Sequence, residues 1–157
     1  MTPAITLAKQ RKIPHRIHEY THDPDAASYG LEAAEKLGVD AARVFKTLLV
    51  SADEGRLLVG LVPVENMLSM KLIAKAAGAK KAVMADKVLV ERSTGYVLGG
   101  VSPLGQKKRL PTFVDESAQS FSTIFVSAGR RGLEIELSPQ DLCDLLGGGF
   151  APLSLQP

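Results

Sequence analysis

Hydrophobic positions recur at helical spacing in five short segments, and each segment is bounded by residues typical of helix ends. Thr2 followed by Pro3 opens the first segment, because a threonine hydroxyl caps free amide groups and proline fits the first helical position. Gly38, Gly78 and Gly147 follow three of the others, where glycine readily takes the left-handed conformation of a helix end. We therefore predict helices over residues 2–12, 31–37, 69–77, 86–93 and 138–146.

Between these helices, β-branched and aromatic residues concentrate in six short runs, which we predict to be strands: 16–20, 44–51, 57–63, 112–115, 123–127 and 133–137. Asp53-Glu54-Gly55 joins the second and third runs and predicts an antiparallel hairpin. Residues 128–132 are predicted to turn the chain between the last two. Because hairpins outnumber βαβ units and no repeat or linker is found, the pattern indicates one α+β domain, residues 1–157, with a largely antiparallel sheet.

The composition limits the classes of protein that this chain fits. Its 157 residues are 45% hydrophobic without any tryptophan, enough for one aliphatic core. The apolar runs are short and interrupted by charges, and the start lacks a secretory signal, so we expect neither a membrane span nor export. A single cysteine and a net charge of +2 indicate a cytoplasmic protein whose cations matter only where they cluster.

Glycines, hydroxyl groups and cations are concentrated in residues 92–111. Gly99 and Gly100 permit backbone angles closed to other residues and let a ligand approach main-chain amides and carbonyls. Lys107, Lys108 and Arg109 follow directly, in a position suited to a phosphate backbone. By composition alone, the segment fits a solvated surface loop as well as it fits a binding site.

Lys46 is the charged residue that most needs an explanation. Alternation along residues 44–50 places its side chain on the same face as Val44, Leu48 and Val50. A lysine on an apolar face either extends its ammonium group to water or holds an anion such as a phosphate. The residues alone leave both alternatives open.

No cluster in the sequence predicts a metal site. His15, His18 and His22 have no cysteine or acidic ligand spaced to complete a tetrahedron, and His22 is expected to hydrogen-bond within the turn that it shares with Asp23. Cys143 lies among leucines of the last helix and is expected to be a buried thiol. We therefore expect neither a metal nor another cofactor.

Three consecutive motifs match one known family: Ser93-Thr94-Gly95-Tyr96, Gly99-Gly100-Val101-Ser102-Pro103-Leu104-Gly105 and Lys107-Lys108-Arg109-Leu110-Pro111. Further matches occur in the family's order at residues 1–4, 22–24, 44–50, 84–86 and 129–137. The chain resembles the YbaK-type aminoacyl-tRNA deacylases, the free-standing relatives of the editing domain of bacterial prolyl-tRNA synthetases. Within that family it is most similar to the Cys-tRNA(Pro) deacylase branch. The resemblance covers nearly the whole chain.

The resemblance implies a curved, barrel-like mixed sheet flanked by helices. It implies catalytic roles for Lys46, which positions the substrate, for Gly99, which holds the aminoacyl group through main-chain atoms, and for Tyr20 beside the pocket. Substrate contacts are implied for His22, Thr47, Gly100, Ser102, Pro103, Ser127 and Glu134, the last standing where close family members often carry aspartate. The cations expected to bind tRNA are Lys107, Lys108, Arg109, Arg130 and Arg131.

The resemblance also implies the reaction, which is removal of a mischarged amino acid, cysteine above all, from tRNA(Pro). Prolyl-tRNA synthetase is a candidate partner. In the family's mechanism the substrate's own thiol attacks its ester carbonyl and leaves as a cyclic thioester, while the protein positions the ester. The alternatives are a catalytically silent module that binds tRNA or the synthetase, and a deacylase for Ala-tRNA or Ser-tRNA.

Overall fold

Five helices and ten strands follow one another along the computed structural model, which describes residues 1–26 and 28–156. Their order is α1 (Pro3–Gln10), β1 (His15–Glu19), α2 (Tyr29–Leu37), β2 (Phe45–Ala52), β3 (Arg56–Pro63), β4 (Met67–Leu68), α3 (Met70–Ala76), β5 (Ala82–Met84), α4 (Lys87–Thr94), β6 (Thr112–Asp115), β7 (Ile124–Arg130), β8 (Leu133–Leu137), α5 (Pro139–Leu146), β9 (Gly149–Ala151) and β10 (Ser154–Leu155).

The helices begin and end where capping residues stand. The hydroxyl of Thr2 accepts a hydrogen bond from the Ile5 amide at 3.3 Å, and a serine or aspartate side chain does the same at the start of each other α-helix. Gly38 and Gly147 end α2 and α5 in the left-handed conformation. All five predicted helices are confirmed, although α1 ends at Gln10 rather than at Lys12, whose φ of 55° leaves the helical region.

Strands β2 and β3 form the predicted antiparallel hairpin, with Phe45 opposite Pro63 and Ala52 opposite Arg56. They lie at the centre of a five-stranded sheet in the order β5-β2-β3-β6-β9, while β1, β8 and β7 form a second sheet in the order β1-β8-β7. The pairs β3–β6 and β6–β9 are parallel and the other strand pairs are antiparallel. The predicted mixed, mostly antiparallel α+β fold is confirmed, and the sheets of the described chain do not close into a barrel.

The turn predicted over residues 128–132 is wrong in extent. Strand β7 continues to Arg130, and only Arg131 and Gly132 turn the chain into β8. The pairing register with β8 shifts between Ser127 and Arg130, where Gly129 takes a φ of 116°. A bulge of this kind mimics a turn in the sequence because it also needs glycine.

The two sheets meet where β2 begins. Val44 forms a single parallel bridge to Phe125 of β7, and both side chains are buried. This bridge brings the start of β2 beside the bulged end of β7.

Cys143 of α5 is only 3% exposed, within the same core as Leu142, and burial raises the pKa of its thiol to about 11. The predicted buried thiol is confirmed.

No helix within residues 1–26 and 28–156 combines the length and the apolar content needed to cross a membrane.

Candidate functional site

A cavity of about 340 Å³ opens where the two sheets meet. Its walls are the start of β2, the first turn of α2, the loop after α4, the end of β7 and the start of β8. Six residues that the sequence assigned to catalysis or substrate binding line it: Tyr20, Lys46, Thr47, Gly99, Ser127 and Glu134. They come from five separate parts of the chain, and the fold brings them to one place.

Lys46 presents the one ammonium group among the described residues that line this cavity. The side chain is partly buried, and this burial lowers the pKa of Lys46 from its ordinary value. Its Nζ makes no hydrogen bond or salt bridge to any residue that the structure describes. A cation held partly out of water without a counter-ion is suited to receive an anionic ligand.

Polar groups of two neighbouring strands stand beside Lys46. The hydroxyl of Thr47 is buried and has no hydrogen-bond partner among the described residues. Ser127, at the bulge of β7, accepts a hydrogen bond from the Gly129 amide at 3.2 Å. The Thr47 hydroxyl is therefore available to a bound molecule, whereas the Ser127 hydroxyl already holds the bulge.

Glu134 is a buried carboxyl group that keeps its proton to a higher pH than usual. It lies in the middle strand of its sheet, between His18 of β1 and Ser127 of β7, and is only 7% exposed. Burial raises the pKa of Glu134 to about 8, because the charged form loses its hydration. Burial, and after it the nearby Glu134, also raise the pKa of Tyr20. The inner wall thus offers two protonated groups that can donate hydrogen bonds.

Tyr29, the first residue of α2, also lines the cavity, and the sequence analysis did not assign it to the site. Its ring lies 3.5 Å from the Arg131 guanidinium carbon. Gly99, with a φ of 95°, approaches the ring so closely that an added Cβ would lie 2.6 Å from Cε2 of Tyr29. No local pattern indicates this contact, since the first residue of a helix after a capping serine is ordinarily a solvated position.

Four of the residues assigned to substrate lie outside the cavity. His22 Nδ1 is 2.8 Å from a carboxylate oxygen of Glu32, so its partner is on α2 and the hydrogen bond predicted within its own turn is wrong. Gly100 lies against the Arg130 backbone, where an added Cβ would be 2.8 Å from Cα. Ser102 is fully buried, and Pro103 lines a second cavity of about 200 Å³. Their predicted substrate contacts stay predictions.

The basic residues divide into three groups. Arg130 and Arg131 border the first cavity. Lys107, Lys108 and Arg109 are exposed, and the last two line the second cavity with Arg11. The backbone amides of Lys80 and Lys81 bind the Asp53 carboxylate at the hairpin tip, at the end of β2 opposite Lys46, roughly 20 Å away along the strand.

The three histidines have separate partners, which are the Ile13 carbonyl for His15, Glu136 for His18 and Glu32 for His22. Among the residues that the structure describes, no group of three or more histidine, cysteine, aspartate or glutamate side chains is arranged to hold a metal ion.

Comparison with known proteins identifies the family of this chain. The sequence model of the aminoacyl-tRNA editing domain matches residues 23–145. The chain therefore belongs to the aminoacyl-tRNA editing domain family, and the family resemblance seen in its motifs is confirmed. The match includes strands of both main sheets, but not β1 or β9, and the parts of the chain that carry Lys46, Gly99 and Glu134.

Particular relatives extend this result. The Enterococcus faecalis protein EbsC, named as a candidate Cys-tRNA(Pro)/Cys-tRNA(Cys) deacylase, is 39% identical over 153 residues, covering 98% of this chain and 93% of EbsC. The proline–tRNA ligase of Shouchella clausii is 31% identical over 118 residues, which are 75% of this chain and 20% of the ligase. A crystal structure described as a candidate trans-editing enzyme for prolyl-tRNA synthetase superimposes with a TM-score of 0.85 at 23% identity, covering 98% of this chain and 95% of that one. This last match shows a shared fold.

Proposed function

We propose that this protein is a trans-editing deacylase that removes mischarged cysteine from tRNA(Pro). The observation that carries the proposal is the cavity in which Lys46, without a counter-ion among the described residues, faces the Gly99 loop and the neutral Glu134. Membership of the editing-domain family and the 39% identity to EbsC support this reading. The protein would act in the cytoplasm on aminoacylated tRNA, with prolyl-tRNA synthetase as a candidate partner.

In this proposal, Lys46 binds a phosphate of the tRNA acceptor end. Its ammonium group lies in the cavity, on a strand that is paired with β3 along its whole length. A phosphate held there fixes the terminal ribose and presents its ester to the Gly99 loop. Positioning of this kind accounts for a large part of the rate of an intramolecular reaction, since the entropy of orientation is lost on binding rather than in the transition state.

The substrate supplies the nucleophile. The cysteine sulfur attacks the ester carbonyl of its own aminoacyl group, a carbon–sulfur bond forms, and the carbon–oxygen bond to the ribose breaks. The thiol proton passes to the departing ribose oxygen, so the products are a four-membered cyclic thioester and intact tRNA. Cys143 is buried in the core, so it does not compete for this role. Glu134, protonated at pH 7, acts as a hydrogen-bond donor in the cavity rather than as a general base.

The test is hydrolysis of purified Cys-tRNA(Pro), Ala-tRNA(Pro), Ser-tRNA(Pro) and Pro-tRNA(Pro), with each tRNA in buffer alone as the control. We expect rapid loss of cysteine and little loss of proline. If all four stay charged in the presence of the protein, the enzyme proposal is wrong and the protein is a binding module for tRNA or the synthetase. Preferential loss of alanine or serine would show a deacylase of the other specificity.

A further inference from the structure

Tyr29 stands out among the exposed residues. It is 42% exposed, and it is the single aromatic residue among the exposed large hydrophobic side chains of residues 1–26 and 28–156. The ring lines the mouth of the cavity beside Leu98, which is 51% exposed. Exposed aromatic rings next to a ligand cavity are typical platforms for flat ligands, because every nucleic-acid base has a face that can stack.

Arg131 adds a second flat group to the same place. Its guanidinium carbon lies 3.5 Å from the centre of the Tyr29 ring. Its Nε is buried and has no hydrogen-bond partner, and its side chain makes no hydrogen bond or salt bridge within the part of the chain that the structure describes. The arginine is therefore held by stacking on Tyr29 and keeps its donors and its charge for a ligand.

The depth of the cavity decides which part of a tRNA reaches this pair. The innermost residues are the buried Val44, Phe45 and Glu134, and the outermost are the exposed Tyr29 and Leu98. An aminoacyl group that enters first is followed at once by the ribose to which it is esterified, and the base of that nucleotide comes next. The terminal base of the acceptor end, an adenine in every tRNA, then lies at the mouth.

We propose that Tyr29 and Arg131 form a stacking platform for the terminal adenine of the tRNA. The inference rests on the proposed function and adds a subsite for the base to a cavity that otherwise binds the aminoacyl ester. Gly99 contributes by its lack of a side chain, since the 2.6 Å between an added Cβ and the ring edge leaves no room for one. The platform does not distinguish one tRNA from another, because all tRNAs share this base. It increases the affinity for a nucleotide over that for an amino acid ester alone.

The test compares two hydrolysis-resistant probes in direct binding measurements. One is 3′-cysteinylamino-3′-deoxyadenosine, and the other carries hydrogen in place of the adenine. The wild-type protein is expected to bind the adenine probe roughly tenfold to a hundredfold more tightly, as base–aromatic stacking contributes about 1–3 kcal/mol. Tyr29→Leu, which keeps an apolar side chain without a ring, is expected to bring the two affinities within about threefold of each other.

The ratio of the two affinities separates stacking from damage to the fold, because a folding defect weakens both probes equally. Tyr29→Phe retains the ring and is expected to retain the ratio. Equal binding of the two probes by the wild type overturns the platform even if Cys-tRNA(Pro) is hydrolysed. The same holds if Tyr29→Leu keeps the wild-type ratio. A wild type that binds neither probe and hydrolyses no acylated tRNA refutes the proposed function, and the platform with it.

Discussion

Gly99 lies against the ring of Tyr29 with no space for a side chain between them. An added Cβ would be 2.6 Å from Cε2 and 3.0 Å from Cδ2, and the φ of Gly99 is 95°. Gly99→Ala must therefore move the ring or the loop, and it also strains the backbone by about 1–2 kcal/mol. We expect kcat/KM for Cys-tRNA(Pro) to fall at least about tenfold, since an ester displaced by about 1 Å loses much of its rate.

Gly78→Ala is the matched control for this substitution. Gly78 has a φ of 70°, and nothing lies within 4 Å of an added Cβ, so this variant carries the backbone strain without the contact. Thermal unfolding and deacylation are measured for both variants. The expected result is a similar loss of stability with activity lost only in Gly99→Ala. Equal activity in both would show that the Gly99 loop does not position the substrate.

Glu134 predicts a dependence of stability on pH. Its pKa is about 8 in the folded protein instead of 4.5. Below pH 4.5 both states carry the proton; between pH 4.5 and about 8 the folded protein keeps a proton that the unfolded chain has lost. The free energy of unfolding therefore falls as the pH rises through this range, by about 1.4 kcal/mol for each unit of pKa displacement, and is constant above it.

Glu134→Gln removes this titration and keeps the shape of the protonated carboxyl group. Denaturant unfolding at pH values between about 4 and 9, in roughly unit steps, measures the free energy of unfolding of both proteins over the range in which the group titrates. The wild type should lose up to a few kcal/mol relative to Glu134→Gln across that range. A difference between the two proteins that stays constant with pH would show that the Glu134 carboxyl is already ionised in the folded state.

The helices and the hairpin, which residues close together in the chain determine, were predicted correctly from the sequence. Helix ends follow from a capping side chain and a left-handed glycine a few residues apart, and the β2–β3 hairpin follows from two runs joined by a short turn. The parallel pairs of β6 with β3 and β9 had no such signal, because the residues that join them lie far apart in the chain. The short strands β4, β5, β9 and β10 were missed for the same reason.

The residues of the candidate site also divide into those that a local pattern identifies and those that it does not. Lys46 is identifiable because a cation on the apolar face of a strand breaks a simple alternation, and the family resemblance then gives it a role. The stacking of Arg131 on Tyr29 is a tertiary contact between a helix start and a strand turn, and neither residue breaks a local pattern. The neutral state of Glu134 depends on its burial in a middle strand, which periodicity alone does not measure.

Binding of acylated tRNA should depend steeply on salt. Lys107, Lys108 and Arg109 are exposed cations on the loop that also carries Gly99. Replacing all three by alanine is expected to make the slope of log affinity against log salt shallower by about 2, since each phosphate contact contributes about 0.7–0.9. The probe is tRNA(Pro) carrying cysteine through an amide bond, which resists hydrolysis.

The matched control replaces Lys80 and Lys81, which lie at the hairpin tip at the far end of β2 from Lys46. Their loss should leave the salt slope within about half a unit of the wild type. If the triple variant keeps the wild-type slope, the triplet is a solvated surface and the acceptor stem runs along another face.

Lys46→Ala should abolish most of the deacylation and leave the fold intact. Its ammonium group has no partner in the described residues, so its removal breaks no internal contact. A charge-assisted contact to a phosphate contributes roughly 1.5–3 kcal/mol, which is about a tenfold to hundredfold loss of kcat/KM. Lys46→Arg should recover only part of the rate, because the planar guanidinium differs in reach and geometry.

Lys9→Ala, at an exposed position on α1 outside the cavity, is the control for loss of one positive charge. It is expected to retain the wild-type rate. Thermal unfolding of all three variants separates loss of fold from loss of function. A Lys46→Ala protein that unfolds like the wild type and deacylates at the wild-type rate would show that Lys46 is a solvated strand lysine.

The substrate's side chain should determine the rate once the ester is bound. Cys143 lies in the core, where burial raises the pKa of its thiol to about 11, so it is not an activated nucleophile. tRNA(Pro) charged with serine or α-aminobutyrate is nearly the same size as the cysteinyl form but lacks the thiol. Both should bind similarly and deacylate at least about a hundredfold more slowly, since the intramolecular nucleophile is lost. Single-turnover rates measure this without the influence of product release, and trapping of the cyclic thioester by an added amine identifies the product. Equal rates for the three substrates would show that water is the nucleophile and that the cavity belongs to a general hydrolase.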